Sequence, residues 1–187
     1  VPVIAGCGSN DTATAVRHME FAKAEGASAA LVVAPYYNRP NQDGIYAHYA
    51  HLAEKSDLPI IVYNVPARTV TDIQPETLAR LAEIPTIVGV KDASGQIARV
   101  GEHRLGCGTD FCQLSGNDDM ALAAHNVMKS KGREGIIIAG VDAMPPAVNV
   151  TTGSRPFSAT QRTSSYGACR FFASAYSSSL RSDCSRR

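Results

Sequence analysis

Short apolar runs recur along the chain at nearly even spacing. They occupy residues 1–6, 30–35, 59–64, 86–91, 111–116 and 135–140, and their starts lie roughly 24 to 30 residues apart. Each run is continuous and is bounded by Gly, Pro or Asn. That is the pattern of strands covered on both faces. Between the runs, apolar residues recur at helical spacing. Residues 12–25 place Val16, Met19 and Ala22 on one stripe, with Asn10 or Asp11 able to cap the start and Gly26 to close the end. Residues 44–55 carry Ile45, Tyr49 and Leu52 in the same way. Pro75 opens a further helix, with Glu76 near its positive end and Leu78 and Leu81 on its apolar side. Residues 117–128 form another helical stretch after the fifth run.

Alternating strand and helix patterns predict a parallel sheet. An open doubly wound sheet and a closed barrel compete. A dinucleotide-binding sheet calls for G-x-G-x-x-G after a strand, and the Gly6-Cys7-Gly8 turn has Asp11 where the third glycine belongs. Several runs end in polar or reactive side chains, which suits a barrel whose site gathers at one end of its strands. The expected fold is therefore α/β: a (β/α)8 TIM barrel, incomplete here, with about six βα units and the first two strands lying upstream of Val1. Residues 1–148 form this partial barrel, and residues 149–187 form an anomalous Ser/Arg-rich tail, read as disordered or frameshifted.

The tail departs from the rest in composition. Leu180 is the only Leu, Ile or Val in residues 151–187, where six arginines meet one acid, Asp183. That segment carries +5 and leaves −4 on the first 150 residues, within a net charge of +1. So few aliphatic groups do little to offset ordering entropy. The tail lacks Lys and any nucleic-acid-binding module, so no nucleic-acid partner is expected. The chain has 187 residues, 44% hydrophobic and 19% charged, and no segment reads as a membrane span or signal peptide. Its five cysteines form no CxxC pair, which points to a reduced, cytoplasmic setting. His18, His48, His51, His103 and His125 give no convincing ligand set, so no metal is expected.

Chemistry concentrates in two of the runs. Ile60-Ile61-Val62-Tyr63-Asn64-Val65-Pro66-Ala67-Arg68-Thr69 and Thr86-Ile87-Val88-Gly89-Val90-Lys91-Asp92-Ala93-Ser94-Gly95 each end an apolar stretch in one reactive group. Tyr63 and Lys91 lie 28 residues apart, about one βα unit. On neighbouring parallel strands, that spacing brings a phenol and an amine to the same mouth. An amine beside a proton relay is what Schiff-base chemistry on a keto acid requires. A lysine ending a strand is ordinarily a solvated charge, and Tyr63 is what makes this one different. Asn64 and Asn38 read as turn formers, and Asp92 and Asp118 as helix-start carboxylates.

With these motifs stand Ala34-Pro35-Tyr36-Tyr37-Asn38-Arg39-Pro40 and Leu114-Ser115-Gly116-Asn117-Asp118. Together, in order and spacing over about residues 1–128, they resemble the dihydrodipicolinate synthase family of pyruvate-dependent class I aldolases. The resemblance implies a lyase of lysine and diaminopimelate biosynthesis that condenses pyruvate with aspartate semialdehyde. It implies that Lys91 forms the imine, that Tyr63 shuttles protons, and that Tyr37 reaches across a dimer interface to assist. Arg68 would hold the carboxylate of the second substrate, and Gly116 would lie close to bound pyruvate. No cofactor is implied beyond the covalent imine on Lys91. As partners the resemblance implies identical chains, in a dimer of dimers. Asn10 and Tyr36 match positions of the family's allosteric lysine pocket. Thr14 stands where feedback-sensitive members carry Glu, so strong lysine inhibition is not expected.

Rival readings are another pyruvate-dependent aldolase, such as N-acetylneuraminate lyase, and a non-catalytic truncated fragment. A phosphate-binding α/β module is weaker, since no P-loop is present. Arg68 and the Tyr36–Pro40 motif favour the synthase. The family's relay also uses a Thr from an earlier strand that this sequence lacks, so the isolated chain is expected to be inactive.

Overall fold

A computed structural model describes residues 2–130. The expected strand at 135–140 and the segment 149–187 lie outside the described residues. Five strands alternate with helices: β1 (Ile4–Gly6), α1 (Thr12–Ala24), β2 (Ala29–Val33), α2 (Gln42–Lys55), β3 (Ile60–Asn64), α3 (Pro66–Thr69), α4 (Pro75–Ala82), β4 (Ile87–Asp92), α5 (Ala98–Cys107), β5 (Cys112–Ser115) and α6 (Asp118–Ser130). The strands pair in parallel in the order β1-β2-β3-β4-β5. A doubly wound sheet reverses its strand order at a switch point. No reversal occurs among the described strands, which agrees with the barrel expectation.

The pleat divides the core in two. Ala30, Val32, Ile60, Val62 and Val90 pack beneath the helices, against Met19 of α1, Tyr49 and Leu52 of α2, and Leu81 of α4. Ala29, Ile61, Cys112 and Leu114 form a smaller cluster on the opposite face of the sheet. Strands buried on both faces explain why the runs read as continuously apolar. Tyr49 is fully buried, and its hydroxyl donates to the Val32 carbonyl at 2.8 Å. Burial pushes that phenol far above its ordinary range.

The helix ends follow local chemistry. Asp11 caps α1, accepting from the Thr14 amide at 2.8 Å. Gly26 closes it with φ +83°, a conformation that suits glycine. The stripe on α1 is shifted from expectation: Ala15 is fully buried and Val16 only partly so. Helix α2 begins at Gln42 rather than at 44, because Asn41 accepts from the Gly44 amide at 2.8 Å. Helices α3 and α5 were not foreseen. The first is a single turn, and the second includes Gly101, Gly106 and two buried polar residues, Arg99 and His103, which blur the apolar period.

His48 of α2 is buried, and its Nδ1 is hydrogen-bonded to Thr12 Oγ1 of α1 at 2.8 Å. Burial, then the nearby His51, pushes its pKa down to about 4, against a weaker upward pull from Asp11. His103 is also pushed down, chiefly by burial. Below the ordinary histidine value of about 6.5, the unfolded chain binds protons that these folded sites refuse. Their contribution to stability is therefore complete above that value and is lost as pH falls below it, toward about 4 for His48. Each group contributes a slope of up to about 1.4 kcal/mol per pH unit in that window. Urea midpoints should fall between pH 7 and pH 5, and His48→Gln should flatten the fall. An identical slope in that variant would show that His48 is not responsible.

Candidate active site

The site rests on one pair of strand ends. In the parallel register of β3 and β4, Tyr63 lies opposite Lys91 and Asn64 opposite Asp92. Lys91 Nζ sits 4.2 Å from the centroid of the Tyr63 ring. An ammonium at that distance is attracted to the ring face, and the uncharged amine would lie beside the same phenol. Both residues are only partly buried, as a group meeting an incoming solute must be.

Arg68 is exposed on α3, the turn that follows β3 directly. Pro66 starts that turn, and the Val65 carbonyl accepts from the Arg68 and Thr69 amides at 2.9 and 3.1 Å. Val70 ends it with φ +58°, an unusual conformation for a β-branched residue. Gly116 follows β5, and its amide donates to the Asp92 carbonyl at 2.8 Å. A Cβ there would meet the Ala93 Cβ at 2.6 Å, so this close approach requires glycine.

Tyr37 lies in the β2–α2 connection, 88% exposed, with φ +69°. The Asn38 amide donates to the Tyr36 carbonyl at 2.8 Å, so Tyr37 centres a γ-turn of the rare positive-φ kind. Tyr36 is 42% exposed beside it. Asn38 reaches back to the Asn10 carbonyl at 2.7 Å, joining the two loops that carry Asn10 and Tyr36. Thr14 is engaged with Asp11, to which its hydroxyl donates at 2.5 Å.

Behind the strand ends lies a polar cluster that reading the sequence missed. Asn64 is not a turn former. It is 2% exposed, and its Nδ2 donates to Asp72 at 3.0 Å and to Asp92 at 2.9 Å. Asp92 does not start a helix either, since α5 begins at Ala98. It ends β4 and also accepts from Ser94 at 2.6 Å. Asp118, by contrast, does lie in the first turn of α6. Arg99 is 4% exposed and forks onto Asp72 at 2.8 and 2.5 Å, with a third bond to the Ile73 carbonyl at 2.9 Å. One signal was available in the sequence. Asn64 and Asp92 each follow a reactive residue and fall on the helix-covered face, where an apolar residue is expected.

Among the described residues, no three His, Cys, Asp or Glu side chains are placed to hold a metal, and no helix is long and apolar enough to cross a membrane.

Parallel strands in chain order with helices on one face define the βα-barrel class, here with an amine beside a phenol at adjoining strand ends. The profile of the Dihydrodipicolinate synthetase family matches residues 1–149. The chain belongs to that family, and its five described strands are part of the family's (β/α)8 barrel fold. It is 73% identical over 122 residues to the 4-hydroxy-tetrahydrodipicolinate synthase of Rhizorhabdus wittichii, a match covering 65% of this chain and 42% of that protein. A solved dihydrodipicolinate synthase from Bacillus anthracis is 40% identical with a TM-score of 0.69, covering 75% of this chain and 46% of that one. The chloride-inhibited synthase of Acinetobacter baumannii, solved with pyruvate, is 43% identical with a TM-score of 0.68, covering 74% and 46%. The chain thus spans less than half the length of these relatives.

The ion pair behind the site has a measurable consequence. Replacing Arg99 by Met keeps much of its volume but leaves the Asp72 carboxylate, with 26% of its side chain exposed, without its cation. Breaking a largely buried pair from one side costs roughly 3 kcal/mol or more. Arg99→Met should therefore lower the thermal midpoint by about 6–12 °C. A midpoint within a degree or two of wild type would show the pair to be dispensable.

Proposed function

We propose that the protein is a 4-hydroxy-tetrahydrodipicolinate synthase, condensing pyruvate with L-aspartate 4-semialdehyde through an imine on Lys91. The observation that carries this reading is the 4.2 Å approach of Lys91 Nζ to the Tyr63 ring across paired strand ends, in a chain of this family. Lys91 Nζ attacks the ketone carbon of pyruvate. Loss of water gives the imine, and loss of a methyl proton gives the enamine. The enamine carbon then attacks the aldehyde carbon of the second substrate, whose oxygen takes up a proton. Tyr63 carries protons in these steps, and Tyr37 assists from a partner chain. The exposure of Tyr36 and Tyr37 supports such a partner, in a homo-oligomer. Arg68 suits the second substrate's carboxylate, since a guanidinium binds it with two parallel bonds. Gly116 lines the pyruvate end. Asn10 and Tyr36 belong to a lysine-binding pocket, weakened by Thr14. No cofactor enters this chemistry, and its setting is cytoplasmic.

In a protein extended to the full length of the relatives, borohydride added with pyruvate should leave a stable adduct on Lys91, read by peptide mass mapping. Lys91→Arg should abolish it, because a guanidinium is not a useful nucleophile near neutral pH. An adduct on Lys55 instead would overturn the assignment.

In a protein extended to the full length of the relatives, Tyr63→Phe should still take up pyruvate but lose about 10²–10⁴-fold in turnover, the usual contribution of a positioned proton carrier. Wild-type turnover in that variant would remove Tyr63 from the relay. Arg68→Ala should weaken use of the semialdehyde more than imine formation, and equal loss in both would make Arg68 structural. Preference for N-acetylmannosamine over the semialdehyde would place the protein among the sugar-acid lyases.

A further inference from the structure

Asn64 uses both its N–H donors and its carbonyl oxygen to join three pieces of the site. An amide side chain offers two N–H donors and one carbonyl acceptor. In Asn64, Nδ2 donates to Asp72 and Asp92, and Oδ1 accepts from the Ile73 amide at 3.1 Å. The amide has one workable orientation, because turning it over would aim its oxygen at two carboxylates and its NH2 at an N–H. Its neighbour in sequence is Tyr63, and Asp92 is the neighbour of Lys91. Asp72 and Ile73 end the loop that carries Arg68.

That loop depends on side chains more than the strands do. The end of β4 is also held to β3 by backbone, since the Ala93 amide donates to the Asn64 carbonyl at 2.8 Å. The loop holds Val70 at φ +58°, a conformation that persists only where the surroundings over-determine it. Its far end is anchored to the helices: Arg99 forks onto Asp72, and Gln42 of α2 donates to the Asp72 carbonyl at 2.8 Å. Asn64 connects that anchor to the strand ends.

We propose that Asn64 is a positioning residue that sets Arg68 against the Tyr63–Lys91 pair, and so governs use of the carboxylate-bearing second substrate rather than imine formation. This rests on the reading of Lys91 and Arg68 given above. Asn64→Asp is nearly isosteric, removes both donors, and places a third carboxylate beside Asp72 and Asp92. The Asp72 carboxylate loses its bond to the strand ends and meets a like charge there, leaving the loop only the bond from the Ile73 amide, while the backbone ladder keeps Lys91 beside Tyr63. Small displacements of a binding group cost up to about 100-fold in rate.

The test uses a protein extended to the full length of the relatives, of which this chain spans less than half. The first step is read as the rate at which pyruvate and borohydride modify Lys91. The second is read as the concentration of aspartate semialdehyde that half-protects the pyruvate adduct from borohydride. In Asn64→Asp the first should stay within about threefold of wild type, and the second should rise about tenfold or more. Asn64→Ser, smaller and uncharged, should show the same split and serves if the aspartate variant does not fold. Equal losses in both steps would mean that Asn64 is merely structural, and unchanged protection would mean that it does not act on Arg68. Either result overturns the proposal. A wild-type chain that forms no adduct, or whose adduct is never protected, overturns the roles of Lys91 or Arg68 and this inference with them.

Discussion

The parallel register between β3 and β4 is the constraint on which the site depends. It sets Tyr63 against Lys91 on one face and Asn64 against Asp92 on the other. Because side chains alternate along a strand, a slip of one residue would exchange the two faces. The amine would then point under the helices and the carboxylate into the mouth. A shift in the pairing falls just before this point: Ile60 lies opposite Ile87 but Ile61 opposite Gly89, so β4 carries one extra residue, Val88. This bulge-like step accounts for Val88 packing with the smaller cluster while Ile87 and Val90 pack under the helices.

The cluster behind the strand ends is costly to bury. Asp72, Asp92 and Arg99 lose hydration there, and replacing a buried ion pair by apolar groups often leaves stability unchanged or improved. What such a cluster supplies is directional. Hydrogen bonds to charged groups have narrow geometry, whereas apolar contacts tolerate sliding. A turn that follows a strand directly, as α3 does, gains from that direction. Val70 in its left-handed conformation is consistent with a segment whose path is set by these anchors.

The three catalytic candidates are placed by two different physical routes. Lys91 and Tyr63 are placed by the sheet ladder, which is cooperative and rigid. Tyr37 is placed by a γ-turn with positive φ and is 88% exposed, so none of the described residues covers its ring. A side chain held out by a strained turn is poised to meet something from outside the chain. The strand-borne pair is built from within it.

Periodicity and end signals in the sequence determined the parallel α/β organisation, the five described strands, and the caps at Asp11, Gly26 and Pro75. These are local properties, set by backbone sterics and by a side-chain repeat that spans only a few residues. The Tyr63–Lys91 pair was legible for the same reason, since one βα unit returns the chain to the adjacent strand end at a nearly constant interval. The tertiary structure alone decided what Asn64, Asp92 and Arg99 do. Their bonds close across 8, 28 and 27 residues, and each residue taken singly matches a commoner role in a turn, at a helix start or on a solvated surface. A polar side chain's partner depends on where distant segments come to rest, and no local repeat encodes that.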